Sequence, residues 1–361
     1  MKLLYIVPKI KNAGGVARVL SIKANYFIEH FGYEVHILAQ NEAEDLPFYD
    51  FNSKVIFHNM ILKGNVFHFL NSYKKQLKQK IEEIKPDVIL VTDNGLKAFI
   101  LPLIVNTKIP IVLEIHSSKF IEEQSLKTDI FSKYLLKLKY RFKDFGAGKY
   151  TKVVVLSPEN LKDWHINNAV IIPNPSWIKT ENSAALKNKR VIAVARNSYE
   201  KGLDRTLLIW EKTIQKHPDW ILDIYTDEVD SLNNIVIDLR LTSTINVFNF
   251  VKNIEEKYLE SSILVMTSRF EAFPMVLIEA MSLGLPSISY DCPSGPRSII
   301  SDNENGFLIP NENLDLFAEK LSFLIENEEL RMKFGAASKE SMQKYQLDTV
   351  MKQWSSLLEN L

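Results

Sequence analysis

Glu271 and Glu279, with seven residues between them, flank Pro274 in a stretch that runs from Ser268 to Gly284. Apolar runs at 263–266 and 285–289 bracket it, so the pattern predicts strand, polar loop, helix, strand. Pro274 suits the first turn of that helix, where its missing N–H loses no partner, and Gly284 suits the end. A helix start at the end of a parallel strand offers free N–H groups and the positive end of a dipole, and these attract phosphate. Carboxylates repel phosphate, so the two glutamates make sense there as acceptors for neutral hydroxyls. A ligand that carries both phosphate and many hydroxyls is a nucleotide sugar. The spacing also fits a plain buried amphipathic helix with two solvated glutamates, so other segments have to decide.

Two cations provide the next observation. Arg196 and Lys201 follow the apolar run 191–195, and Gly202 then opens a helical pattern. Arginine grips a diphosphate with a planar fork, while lysine acts as a compact point charge. Their chemistry would be to neutralise the charge that grows on a leaving diphosphate, each fixed donor being worth about 3–4 kcal/mol in the transition state. A pair of surface cations beside a turn is the plain alternative, and the glutamate pair weighs against it. In the first half, Gly14 and Gly15 lack the full dinucleotide fingerprint but allow a backbone to approach a ligand, or simply make a tight turn. His116 ends the run 111–115, and the sequence identifies no orienting acid that would make it a general base. Ser294 and Gly295 could cap a further short helix start near phosphate, and Cys292 beside them reads as a packing residue.

Glu271, Glu279, Ala280 and Gly284-Leu285-Pro286 together resemble the signature of the retaining glycosyltransferases of family 4, which have the GT-B fold. Arg196, Lys201 and Gly202 are similar to a Gly-Arg-x4-Lys-Gly pattern of that family, with Ala195 in place of its glycine. Ala272 likewise stands where the family has glycine after the first glutamate, a departure that matters only if the position needs a positive φ. The resemblance implies that Glu271 meets the hydroxyls of the donor sugar, Glu279 the ribose, and His116 the sugar near its reacting carbon. It implies a donor-binding set of Gly14, Gly15, Arg196, Lys201, Glu271, Phe273, Pro274, Met275 and Glu279, and a catalytic set of His116, Arg196, Lys201 and Glu271. The implied reaction moves a hexose or N-acetylhexosamine from a nucleotide diphosphate sugar, with UDP favoured, to a hydroxyl acceptor. The run from Asp291 to Pro296 is similar to a branch that builds bacterial surface polysaccharides, so the expected acceptor is a lipid-linked or surface glycan. Front-face attack with retention is implied, with no metal and no cofactor. No Asp-x-Asp motif is present, since Asp227 and Asp230 are wrongly spaced for one. A nucleotide-sugar epimerase of the same fold and a catalytically silent nucleotide-sugar-binding subunit are the alternatives.

The elements that must position these residues alternate along the chain. Strands are predicted at 3–7, 34–38, 55–58, 88–91, 111–115, 153–156 and 170–172, with helices at 16–30, 65–84, 96–105 and 121–145 between them. The second half repeats the theme with strands at 190–194, 221–225, 245–248, 263–266, 286–289 and 307–309, and helices at 203–216, 314–326 and 328–344. This predicts an α/β chain of two doubly wound, Rossmann-like domains, residues 1–175 and 176–344, facing a cleft at the carboxyl ends of their strands. Two prolines, Asn and Ser make 173–182 the linker. Val350, Trp354, Leu357 and Leu358 give the segment 345–361 a helical apolar stripe, and the resemblance implies that it packs back on the first domain.

Composition bounds the rest. With 361 residues, 46% apolar and 24% charged, the chain can build two proper cores. A single cysteine excludes an internal disulfide and fits a reducing, cytoplasmic setting. No apolar run is long enough to span a membrane, and the first eight residues read as a strand, not a secretory signal. The net charge of zero hides +7 in residues 1–175 and −7 in 176–361. Lys127, Lys133, Lys137, Lys139, Arg141, Lys143, Lys149 and Lys152 carry much of the positive excess, interleaved with Phe131, Tyr134, Tyr140, Phe142, Phe145 and Tyr150. Charge alone favours a solvated helix with its aromatics turned to the core. The alternative is peripheral attachment to an anionic membrane, such as the inner face of the plasma membrane. No nucleic-acid-binding module is recognisable.

Overall fold

The computed structural model describes residues 1–11, 14–42, 47–93, 95–120, 130–179 and 181–361. The chain divides into two compact units, Met1–Pro173 with Val350–Leu361, and Asn174–Thr349. The start of the predicted helix 121–145, including Lys127, lies outside the described residues.

In the first unit, seven parallel strands form one sheet: β1 (Lys2–Ile6), β2 (Glu34–Gln40), β3 (Ile56–Met60), β4 (Val88–Val91), β5 (Ile111–Glu114), β6 (Lys152–Val155) and β7 (Ala169–Ile171). Their order is β3-β2-β1-β4-β5-β6-β7. Helices α1 (Gly15–Phe31), α2 (Val66–Ile84), α3 (Leu96–Val105), α4 (Ile130–Ala147) and α5 (Pro158–Lys162) make the crossovers. Central strands such as Leu3-Leu4-Tyr5-Ile6 are buried on both faces, which is why they read as unbroken apolar runs. Pro102 lies inside α3, where it cannot donate to the carbonyl of Ala98; the Tyr150 hydroxyl donates to that oxygen instead, at 2.5 Å.

The second unit holds six parallel strands: β8 (Arg190–Val194), β9 (Ile221–Thr226), β10 (Ile245–Asn249), β11 (Ile263–Met266), β12 (Ser287–Asp291) and β13 (Gly306–Pro310), in the order β10-β9-β8-β11-β12-β13. Its helices are α6 (Leu203–Ile214), α7 (Val229–Asp238), α8 (Ile254–Leu259), α9 (Met275–Ser282), α10 (Leu314–Glu326) and α11 (Glu328–Ser341). The helix predicted to reach 344 ends at Ser341, and a 3-10 turn, Met342–Tyr345, follows. The last helix, α12 (Leu347–Glu359), buries Val350, Met351, Trp354 and Leu358, and its residues from Val350 onward cluster with the first unit.

In both sheets the strand order reverses beside the first strand, between β1 and β4 and between β8 and β11. Each reversal leaves the loops on its two sides diverging at the carboxyl end, the usual ligand position of such sheets. Most of the predicted site residues fall in the loops after β1, β5, β8 and β11 or at the start of the helices that follow.

Candidate functional site

The loop after β8 and the loop after β11 are laced together. The Arg269 backbone N–H donates to the Glu200 carbonyl at 2.7 Å, and the Thr267 hydroxyl donates to the Gly202 carbonyl at 2.8 Å. The Arg269 guanidinium grips Asp204 at 2.8 and 2.5 Å and the Tyr199 carbonyl at 2.8 Å. Burial alone would push the Asp204 carboxyl up, but its bonds to Arg269 and that charge together hold it below the usual carboxylate range. Gly202 takes a left-handed φ of +65°, and a Cβ there would stand 2.4 Å from the Thr267 carbonyl oxygen. Only glycine satisfies both the turn and the close approach.

This lacing brings Lys201 and Glu271 together. The Lys201 Nζ donates to Glu271 Oε1 at 2.6 Å, and the Ser268 hydroxyl donates to the same oxygen at 2.7 Å. Glu271 is buried, while Lys201 keeps part of its side chain in water. Arg196 is exposed and makes no salt bridge with any described residue. Near it, the Ser198 hydroxyl first, and then the charges of Arg196 and Lys201, hold the Glu200 carboxyl low against the opposing effect of burial.

Glu279 points into the second unit, only 4% exposed. The Trp177 indole N–H donates to its Oε1 at 2.6 Å and the Tyr258 hydroxyl to its Oε2 at 3.1 Å. Sequence reasoning missed both partners: Trp177 lies in the segment read as linker, where one large aromatic among Pro, Asn and Ser was the only signal. Pro274 is the residue that caps α9, one position before the first turn where it was expected, with φ −71° and ψ 108°. Met275 opens the helix, and Phe273 packs edge-on against Tyr345 with centroids 5.4 Å apart. Ala272 is absent from the positive-φ residues, so the departure from glycine carries no backbone strain. Ser294 pairs with Glu271 in a parallel bridge, and a Cβ on Gly295 would meet the Pro274 ring at 2.5 Å. The expected cap at Ser294 is not formed: Gly295–Ser298 is a single 3-10 turn with no side-chain cap bond, and Ser294 itself has φ +73°. Burial, and then the charge of Glu271, push the Cys292 thiol up, which suits packing and not nucleophilic chemistry.

In the first unit, Gly14 is the N-cap of α1 with an extended backbone, φ −78° and ψ 154°, and Gly15 begins the helix; neither has a positive φ. Residues 12 and 13 of that turn lie outside the described residues. His116 follows β5, and its Nε2 lies 3.1 Å from Glu114 Oε2. The same carboxylate oxygen accepts from Lys23 Nζ at 2.6 Å. Glu114 and Lys23 were not predicted; the available signal was a charged residue in an otherwise apolar strand and a lysine within the apolar stripe of α1.

Among the described residues no cluster of three or more His, Cys, Asp or Glu is arranged to hold a metal, and no helix is long and apolar enough to cross a membrane. A groove of about 760 Å³ on the second unit is lined by Arg190, Asp223, Tyr225, Phe248, Lys257 and others, and includes none of the predicted site residues. On α4, the expectation that the aromatics turn inward holds for Phe142, which packs against the first core, and fails for Tyr134 and Phe145, exposed 60% and 53%. Leu135 and Leu138 are also exposed there, with Lys133, Lys137 and Arg141.

Two doubly wound parallel sheets, the second with paired basic and acidic loops at its switch point, define the class as GT-B. Comparison with known proteins supplies the family. Residues 177–341 match the model for glycosyl transferases group 1, and residues 14–145 match that for glycosyl transferase 4-like domains. The chain is 30% identical to the amylovoran biosynthesis glycosyltransferase AmsD of Erwinia amylovora, over 99% of both chains. It is 28% identical to an uncharacterized glycosyltransferase of Haemophilus influenzae, again over 99% of both. A crystal structure of a TarM variant of S. aureus, in complex with fondaparinux, alpha-GlcNAc-glycerol and UDP, superposes with a TM-score of 0.80 at 16% identity, over 99% of each chain. The chain belongs to the group 1 glycosyltransferases with a family-4-like first domain, and its fold is GT-B.

Proposed function

We propose that this glycosyltransferase moves a hexose or N-acetylhexosamine from a UDP-sugar to a hydroxyl of a lipid-linked or surface-polysaccharide glycan, with retention at the anomeric carbon. The observation that carries the reading is the Lys201–Glu271 pair, at 2.6 Å, beside the start of α9 and the exposed Arg196. UDP in the TarM complex supports the choice of nucleotide, and the polysaccharide role in the name of AmsD supports the acceptor class.

Arg196 and Lys201 take the diphosphate, with the leading N–H groups of α9 behind Phe273, Pro274 and Met275 completing the anion site. Lys201 has three donors, so it can keep Glu271 and still meet a phosphate oxygen. Glu271 accepts from hydroxyls of the donor sugar, and Glu279, held by Trp177 and Tyr258, accepts from the ribose. The Gly14–Gly15 turn approaches the diphosphate, and His116 hydrogen-bonds the donor sugar. The glycosidic bond to the diphosphate breaks as the acceptor oxygen arrives on the same face, and a phosphate oxygen takes the acceptor proton. These fixed charges replace a metal or cofactor, each contributing about 3–4 kcal/mol as the leaving group gains charge. Attachment to an anionic membrane through α4 would bring the enzyme to a lipid-linked acceptor; the exposed Tyr134, Leu135 and Leu138 beside Lys133, Lys137 and Arg141 support it.

The test is thermal unfolding with UDP, GDP, ADP, CMP and their sugar conjugates, on the wild type and on Arg196→Ala. A ligand at a hundred times its Kd adds about 2.7 kcal/mol. UDP and its sugars should raise the Tm of the wild type and not of the variant. If no nucleotide stabilises the wild type, the donor site is misassigned.

A further inference from the structure

Behind His116 lies a buried row of charges that the reaction as described does not use. Glu114 is the last residue of β5 and is 1% exposed; Lys23, on the inner face of α1, is also 1% exposed. Lys23 Nζ and His116 Nε2 converge on one carboxylate oxygen, Glu114 Oε2, at 2.6 and 3.1 Å. On the far side of Lys23, the Trp354 ring of α12 lies 3.5 Å from the ammonium and the Tyr5 ring 5.6 Å from it. A buried ion pair is a poor way to gain stability, since well-packed apolar residues of similar volume often do as well or better. What this pair supplies is direction: an ionised carboxylate accepts only, and a second bond to Lys23 pins the oxygen that His116 faces. Burial pulls the Lys23 ammonium down, opposed by Glu114. Burial alone would push the Glu114 carboxyl up, but Lys23 and His116 together hold it low.

We propose that Lys23 and Glu114 are positioning residues for His116, and that Trp354 of the C-terminal helix seals them from water. Glu114 receives the Nε2–H of the imidazole and so fixes its plane and its tautomer, with the lone pair on Nδ1. Lys23 keeps that carboxylate ionised and oriented, and the indole face replaces the water that the ammonium gave up. The proposal rests on the reading that His116 meets the donor sugar, and it gives the C-terminal helix a part in the chemistry beyond covering the first unit.

The experiment changes Lys23→Met and Glu114→Gln together, which leaves no lone buried charge, in both the wild-type and the His116→Ala backgrounds. Transfer from the UDP-sugar is then measured with Tm. In the wild-type background kcat should fall about tenfold or more, while the UDP-induced Tm shift is unchanged. In the His116→Ala background the same two changes should alter kcat by less than about twofold, because their route to the reaction is already gone. Equal losses in both backgrounds would mean that the pair only holds the fold, and would overturn the proposal. Glu114→Gln alone, nearly isosteric, gives the same comparison should the double variant not fold. Nitrogen-15 spectra of the imidazole provide a readout independent of turnover. His116 should carry its proton on Nε2 in the wild type and lose that preference in the variant; an Nδ1–H tautomer in the wild type overturns the assignment. If the wild type transfers no sugar, the functional reading fails, while the spectra still decide the positioning.

Discussion

Replacing Lys201 with methionine separates what the cation does for the fold from what it does for the ligand. The change removes one of the two donors to Glu271 Oε1 and, among the described residues, leaves only the Ser268 hydroxyl at 2.7 Å on a carboxylate that is 9% exposed. Removing one partner of a fully buried ion pair costs about 3–5 kcal/mol. Here a quarter of the Lys201 side chain, 26%, meets water, so solvent screens part of that loss and about 2–3 kcal/mol is expected. For a unit of this size that corresponds to a fall of roughly 4–12 °C in Tm.

The discriminating variant is Lys201→Met combined with Glu271→Gln. The glutamine still accepts from Ser268 and carries no charge, so the penalty of an unpaired buried carboxylate disappears, and stability should return to within about 1 kcal/mol of the wild type. The response to UDP should not return, because the diphosphate has still lost its lysine. Urea unfolding with and without UDP measures both quantities on the same samples. A double variant no more stable than Lys201→Met would show that the ion pair is not what the single change breaks. A double variant with the wild-type UDP shift would remove Lys201 from the donor site.

Other outcomes follow from the same geometry. Gly202→Ala places a Cβ 2.4 Å from the Thr267 carbonyl at a φ of +65°; the left-handed backbone alone costs about 1–2 kcal/mol, and the urea midpoint should fall accordingly. An unchanged midpoint would mean that the two loops part easily. Asp204 has its carboxyl held low by Arg269, so its contribution is fully present above the ordinary aspartate value of about 4 and is lost as pH falls past it and through the lower folded value. The stability gap between the wild type and Asp204→Asn should therefore close on acidification below that pH, and a gap that persists there contradicts the assignment. For α4, co-sedimentation with anionic vesicles should weaken with salt and with Lys133→Glu, Lys137→Glu and Arg141→Glu, each worth about 1 kcal/mol at a charged surface. Binding that ignores both would sink the electrostatic attachment.

Local punctuation carried the elements that position the donor residues. Apolar runs ended by Arg196 or Ser268, Gly202 with its left-handed φ, and the Pro274–Gly284 bracket all act within a few residues, so their effect could be read from the chain. The partners could not. Lys23 and Glu114 are 91 positions apart, and Trp177 and Glu279 are 102 apart. Nothing local says that a lysine in an apolar stripe will find a carboxylate instead of reaching for solvent. Pro102 shows the same limit: the helix predicted at 96–105 does run through it, but nothing local says that Tyr150, 52 positions away from Ala98, satisfies the carbonyl it abandons. The exposure of Tyr134 and Phe145 on α4 was misjudged for the same reason, since charge and spacing do not reveal which face of a helix meets a core.

The hidden partners change how the predicted site should respond to mutation. Glu271, Glu279 and His116 each already hold a hydrogen bond from or to another side chain, so the protein has met part of the ordering cost of these groups before a ligand arrives. Changing any of them or their partners disturbs the fold and the chemistry together. Arg196 differs, because it makes no salt bridge with any described residue and loses none on substitution. Its removal should leave the unliganded stability within about 0.5 kcal/mol of the wild type, as for an ordinary surface change, while removing the UDP response. That contrast with Lys201, whose loss costs both, is what distinguishes a cation held for the ligand from one shared with the scaffold.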